Sequence, residues 1–329
     1  MSNSSSEQPP PPPPLTYFDL FHQNGGHTVA MWLILGEKCA LSLVGILFNA
    51  ILVVATLKAK SLRSICNLLI AIDSAFLALY QLNTLITLLI ALFGINFVSV
   101  YTCFYLQALP TFSALMSLCV MFQIGLERFA NVLFPIWSMQ ENSERFHAAF
   151  LLFSLCSNFY LMWLQHDVAL GFNKMVMCTA SDVPTLGGLS HTIAFNRAVF
   201  MHILLIIIYI AIFLILKFKK GNENFSKSIF HSLLYLVVFE VFGWLPPIYL
   251  NLVIQKFQLS PVTGTYISVA FTTISSCITA SANAPTLYYF SDLYRDTMNA
   301  IFMGIGIKKA NKTKSVVVVR RNINWISSE

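Results

Sequence analysis

Cys103 stands 25 residues before Arg128 in this sequence, and Pro135 follows seven residues after the arginine. At 1.5 Å per helical residue the first interval is roughly 37 Å, about one membrane thickness. A single helix would carry a thiol at one end and the run Glu127-Arg128-Phe129 at the other. Oxidation is open to a thiol on an extracellular side. An acid beside a base can form an ion pair that exchanges partners when neighbouring helices move, a two-state element of the kind switching needs. In Phe242-Gly243-Trp244-Leu245-Pro246-Pro247 a bulky ring precedes a helix breaker. Proline removes a backbone hydrogen bond, so Pro246 makes a kink that a ligand near Trp244 can bias. The third group is Asn283-Ala284-Pro285-Thr286-Leu287-Tyr288. Asp73 and Glu240 fall inside apolar stretches, where a carboxylate is expensive and should face protein rather than lipid. No HExxH, no paired His–carboxylate cluster and no nucleophile motif is present, so no enzyme, cofactor or metal is expected. His166, His191 and His202 read as interfacial or packing residues.

Seven apolar blocks must position these groups, at about 32–57, 66–92, 103–134, 147–166, 194–217, 229–254 and 264–289. Each is long enough to cross a bilayer as a helix. The chain is 57% hydrophobic and 10% charged, against about 25% charged in a soluble domain. The expected fold is an all-α seven-transmembrane bundle with a short amphipathic eighth helix. Residues 1–31 form a Pro-rich, disordered extracellular tail, 32–289 the bundle, 290–309 an amphipathic juxtamembrane helix and 310–329 a basic cytoplasmic tail. On the juxtamembrane helix Leu293, Met298, Ile301, Phe302 and Ile305 fall mostly on one face. Only Lys38, Lys174, Arg197 and Lys256 of the twenty Lys and Arg fall on the side of the N-terminus. That asymmetry puts the N-terminus outside the cell. The basic tail suits anionic lipid and does not imply nucleic acid. Asn3-Ser4-Ser5 is a glycosylation sequon on the outer side. Cys39, Cys66, Cys119, Cys156 and Cys277 lie in or beside apolar blocks, while Cys103 and Cys178 lie on the outer side, where oxidation is allowed.

Taken together, these motifs resemble the rhodopsin-like G-protein-coupled receptors. Glu127-Arg128-Phe129 resembles their DRY-type motif, the Trp244 stretch their CWxP motif, and Pro285 with Tyr288 their NPxxY motif. Gly45 and Asn49 resemble the polar pair of the first helix. Finer similarity, in Leu62-Arg63-Ser64-Ile65-Cys66-Asn67 and Tyr294-Arg295, is to nematode serpentine chemoreceptors of the Srsx class. The resemblance implies a Cys103 disulfide with the second outer loop, through Cys178, and a G-protein switch at Glu127, Arg128 and Phe129. It implies that Trp244 floors the ligand cavity above the Pro246 hinge. It implies that Tyr288 swings inward to meet Tyr209 through water. Expression in sensory cilia follows from the same likeness. There are departures as well. Gly243 replaces a cysteine, and Ala284 an asparagine, with Asn283 one place earlier. Counted from Asn67, the family's second-helix acid falls on Leu77 with Asp73 four residues before it, so no sodium site is expected.

The ligand site is bounded only by helix halves. Gln107, Phe112, His202, Tyr249, Asn251 and Tyr266 are its candidates. No aspartate lies in the outer half of the third block, which disfavours an amine ligand. The expected ligand is a small, weakly polar molecule, with a peptide or neuromodulator as the alternative. The expected partners are that ligand, a heterotrimeric G protein and membrane lipid. A seven-helix channel or transporter is the competing class. It would need a polar stripe that Asp73 and Glu240 alone do not supply.

Overall fold

A helix that is apolar around its whole circumference has no side to turn to water. The first such helix is α1, Val29–Lys58. A 3-10 turn, Lys60–Leu62, leads to α2, Ile65–Leu92. Ser64 starts α2 by accepting a hydrogen bond from the Asn67 amide, as a capping serine does for an otherwise unpaired helical N–H. Ser99 does the same for α3, Val100–Leu133. Then come α4, Glu141–Gly171, and α5, Gly188–Phe218. The last span is divided into α6, Pro261–Ser281, and α7, Asn283–Phe290, followed by α8, Asp292–Phe302. This computed structural model describes residues 29–95, 97–134, 141–179, 188–218, 235, 238, 239, 243, 250 and 261–303. Asn3, Glu240, Trp244, Pro246, Tyr249 and Asn251 lie outside the described residues, as do both tails and Ile305.

Five of these helices are long and apolar enough to cross a membrane. Polarity is arranged for lipid. Ser42, Asn49, Asp73, Gln81, Gln107, Gln123 and Asn158 are buried, while Leu152, Phe153, Phe159 and Trp163 face outward. In hydrocarbon the polar groups need partners inside the bundle and the apolar ones need none. The most enclosed of the five is α3, which packs against α2, α4 and α5.

Close approach explains two glycines. A Cβ on Gly45 would collide with Gln81 and Ser281, and one on Gly243 with Thr279. Asn49 Nδ2 donates to the Ala280 carbonyl at 2.7 Å, tying α1 to α6. Thr279 Oγ1 donates to the Phe239 carbonyl at 3.0 Å, tying α6 to the sixth block. The seventh span breaks at Ala282. Pro285 has no N–H for the carbonyl four residues back, so the ladder cannot run through.

Some boundaries differ from the sequence reading. The fourth helix is longer than its block at both ends. Its serines and Asn158 turn inward instead of interrupting it. Of the α8 face, Met298 is buried, but Phe302 is 65% exposed and Tyr294 takes a core position instead. The fifth block, which contains Arg197, begins earlier than its sequence limits, as the membrane-length stretch Leu189–Ile215. Cys156 is exposed, whereas Cys39, Cys66, Cys119 and Cys277 are buried.

Candidate signalling site

The two ends of α3 carry the site. At the outer end Cys103 is joined to Cys178 by a disulfide, with Cα atoms 5.2 Å apart. Two short strands lie beside it. Val98–Ser99 pairs antiparallel with Met175–Val176, with Val98 opposite Val176. Cys178 adopts a left-handed φ of 65°, a conformation uncommon for a residue with a Cβ. Its carbonyl accepts from Thr87 Oγ1 at 2.8 Å and from Gln107 Nε2 at 3.0 Å. Disulfide, strand pair and amide thus clamp the segment that follows α4 onto α2 and α3.

At the inner end Glu127 and Arg128 part company. Glu127 is buried; its Oε1 accepts from Asn131 Nδ2 at 2.9 Å, and its Oε2 lies 2.7 Å from His147 Nε2 of α4. Gln123 Nε2 in turn reaches His147 Nδ1 at 3.0 Å and the His147 carbonyl at 2.8 Å. Among the described residues no ion pair joins Glu127 to Arg128. Arg128 bonds to the Cys66 thiol of α2, and Tyr209 of α5 and Tyr294 of α8 fall within the field of its charge. Its Nε is buried without a partner, and so is the Tyr209 hydroxyl. Tyr294 is wedged against α1, its hydroxyl 3.3 Å from Thr56 Oγ1. Burial pushes that phenol up to about 12, opposed by the Thr56 hydrogen bond. Among the described residues the guanidinium therefore has a thiol to bond and two phenols in its field, while the Glu127 carboxylate is taken by Asn131 and His147. Phe129, Leu126, Ala130, Phe134, Phe146 and His147 line an apolar cavity of about 460 Å³ at this end.

A serpentine type 7TM GPCR chemoreceptor model of the Srsx family matches residues 42–302. The chain belongs to the Srsx family. It is thus a seven-transmembrane G-protein-coupled receptor of the chemoreceptor kind, with a short eighth helix. A search of curated proteins found no match.

Other residues singled out in this Srsx receptor fall as follows. Asp73 sits at the centre of the bundle. Ser117 Oγ donates to one carboxylate oxygen at 2.5 Å and Asn283 Nδ2 to the other at 2.8 Å. Three helices meet there, so Asp73 and Asn283 act together, which counting from Asn67 did not indicate. Among the described residues no hydrogen bond joins Tyr288 to Tyr209. Its hydroxyl donates to Asn299 Oδ1 of α8 at 3.1 Å, and the ring is 39% exposed. Pro285 is exposed beside the break in the seventh span. The ligand candidates diverge. Gln107 is engaged under the outer loop, and Phe112 packs between Phe76 of α2 and Phe159 of α4. Tyr266 packs near Met31 and Met177. His202 is buried, Nδ1 lies 2.7 Å from the Ala198 carbonyl, and Nε2 has no partner.

Sequence reasoning missed His147, Gln123, Asn131 and Tyr294. A signal existed for the first: the fourth apolar block begins on His147. Consecutive antiparallel helices bring their joined ends together, so a histidine there can meet the acid at the end of α3.

Proposed function

We propose that this receptor detects a small, weakly polar molecule in the outer half of its bundle and signals to a heterotrimeric G protein through Arg128. The N-terminus is extracellular and the inner ends of α3 and α5 face the cytoplasm. The observation that carries the reading is the state of Arg128. Its charge is not bound by Glu127, because His147 and Asn131 occupy that carboxylate. A thiol such as Cys66 holds a guanidinium only weakly. A modest separation of the inner ends therefore turns it toward an incoming protein, and a ligand need bias that equilibrium by only a few kcal/mol. Phe129 and Phe134 give the same face an apolar surface for docking.

The test is a screen of small molecules with a G-protein nucleotide-exchange readout, run in parallel on the wild type and Arg128→Ala. Compounds should raise exchange in the wild type alone, while surface expression of the two proteins stays equal. A variant that signals as the wild type does would reject the role of Arg128. An N-terminal epitope should be reached by antibody on intact cells, and a C-terminal one only after permeabilisation.

A further inference from the structure

Arg197 is a cation within a membrane-crossing helix, and its charge has no counter-charge among the described residues. The side chain reaches from α5 to α4. Nη2 donates to Asn158 Oδ1 at 2.6 Å and Nη1 to Ser157 Oγ at 3.5 Å. Asn158 is fully buried and points its own amide at α3, toward Met116 Sδ at 3.0 Å and Cys119 Sγ at 3.7 Å. The guanidinium thus sits where α3, α4 and α5 meet. Its level is near the middle of α4, and on α3 it is about halfway between Cys103 and Arg128. Its Nε is buried and has no partner.

The two buried acids of the described spans are committed elsewhere. Asp73 is held by Ser117 and Asn283, and Glu127 by Asn131 and His147. A tie between neutral groups does not need a full charge, since a glutamine could donate to Asn158 without carrying an ion into hydrocarbon. An intramembrane cation is retained where something anionic visits it. Guanidinium geometry specifies the visitor. Nε and one Nη form a planar fork that matches the two oxygens of a carboxylate. Asn158 holds the guanidinium through Nη2, and Nε is left to bond.

We propose that Arg197 and Asn158 form a carboxylate subsite between α3, α4 and α5, and that the ligand of this receptor is a small, mostly apolar molecule bearing one carboxylate. The proposal rests on the receptor reading for its biological meaning, and it adds an acid group to the weakly polar ligand proposed above. Its test uses binding alone.

The full-length receptor, purified in nanodiscs, is melted with octanoate, decanoate or 3-phenylpropionate and, separately, with the methyl ester of each. A carboxylate should raise the melting temperature of the wild type where its ester does not. Arg197→Gln should abolish that rise, weakening apparent affinity by at least about ten-fold. Asn158→Asp is the second variant, for the case in which Arg197→Gln does not fold. It places a carboxylate against the same guanidinium, so the protein itself should melt higher and no longer respond to the acids. The proposal is overturned if acids and esters act alike on the wild type, if both variants keep the response, or if Asn158→Asp melts lower. The last result would mean that the cation is already paired. Because no G protein takes part, failure here leaves the Arg128 reading standing, and loss of that reading leaves this one standing.

Discussion

The outer end of α3 is held by a covalent bond, a strand pair and the Gln107 amide; its inner end has a guanidinium and a phenol with bonding capacity unspent. Gln107 Oε1 is the one buried side-chain oxygen left without a partner in the outer clamp. The inner end leaves both Arg128 Nε and the Tyr209 hydroxyl in that condition. An unmade hydrogen bond in a buried place is costly and can be recovered by rearrangement. The proposed switch therefore assigns anchoring to the disulfide end and movement to the Arg128 end. One helix serves both because it spans the whole bilayer.

The largest effect is expected where the anchor is cut. Cys103→Ser removes a crosslink between residues 75 apart in sequence, and loss of a native disulfide typically costs about 2–5 kcal/mol. Surface expression should fall steeply, as measured by antibody binding to intact cells. Normal expression and normal signalling would mean that the strand pair and Gln107 suffice, and the contrast between the ends would narrow.

A smaller effect separates the two halves of the Glu127-Arg128 pair. Glu127→Gln sets an amide N–H against a donor, because both His147 and Asn131 reach toward that carboxylate. Stability should fall by about 1–3 kcal/mol, the usual cost of a buried group left unsatisfied, read as a lower melting temperature. Basal nucleotide exchange should not rise, since Glu127 does not restrain Arg128. A marked rise in basal exchange would restore Glu127 as the direct lock and remove the independence argued for Arg128.

Much of this contrast was legible in the residues. The interval from Cys103 to Arg128 gave the length of the helix, and the apolar blocks gave its companions. Gly243 was seen as a departure, and the contact with Thr279 shows why no side chain stands there. What could not be read was partner choice. Glu127 and Arg128 are adjacent in sequence, but neighbours one residue apart on a helix point in different directions. One turns to α4 and the other toward α2 and α5. Asp73 faces protein, as its cost in lipid required, but counting along α2 says nothing of which partners, Ser117 and Asn283, would aim at it. For Arg197, a place inside the fifth apolar block says nothing of its reach to Ser157 and Asn158 on α4.

The smallest change should be the most discriminating. Tyr209→Phe deletes one oxygen that is buried and has no described partner. If the resting inner end truly leaves that hydroxyl unspent, the variant should melt at the wild-type temperature or slightly above, within about 1 kcal/mol, because it loses a desolvated donor and no bond. Agonist-driven exchange should nevertheless drop if the hydroxyl finds its partner only after the inner ends separate. Stability and signalling would then move in opposite directions, which a purely structural tyrosine cannot produce. A lower melting temperature would reveal a bond already made at rest, and the inner end would be as firmly tied as the outer one. Tyr288→Phe is the control, since its bond to Asn299 is exposed and worth little at rest. If it alone impaired exchange, the moving group would be the tyrosine of α7 and not that of α5.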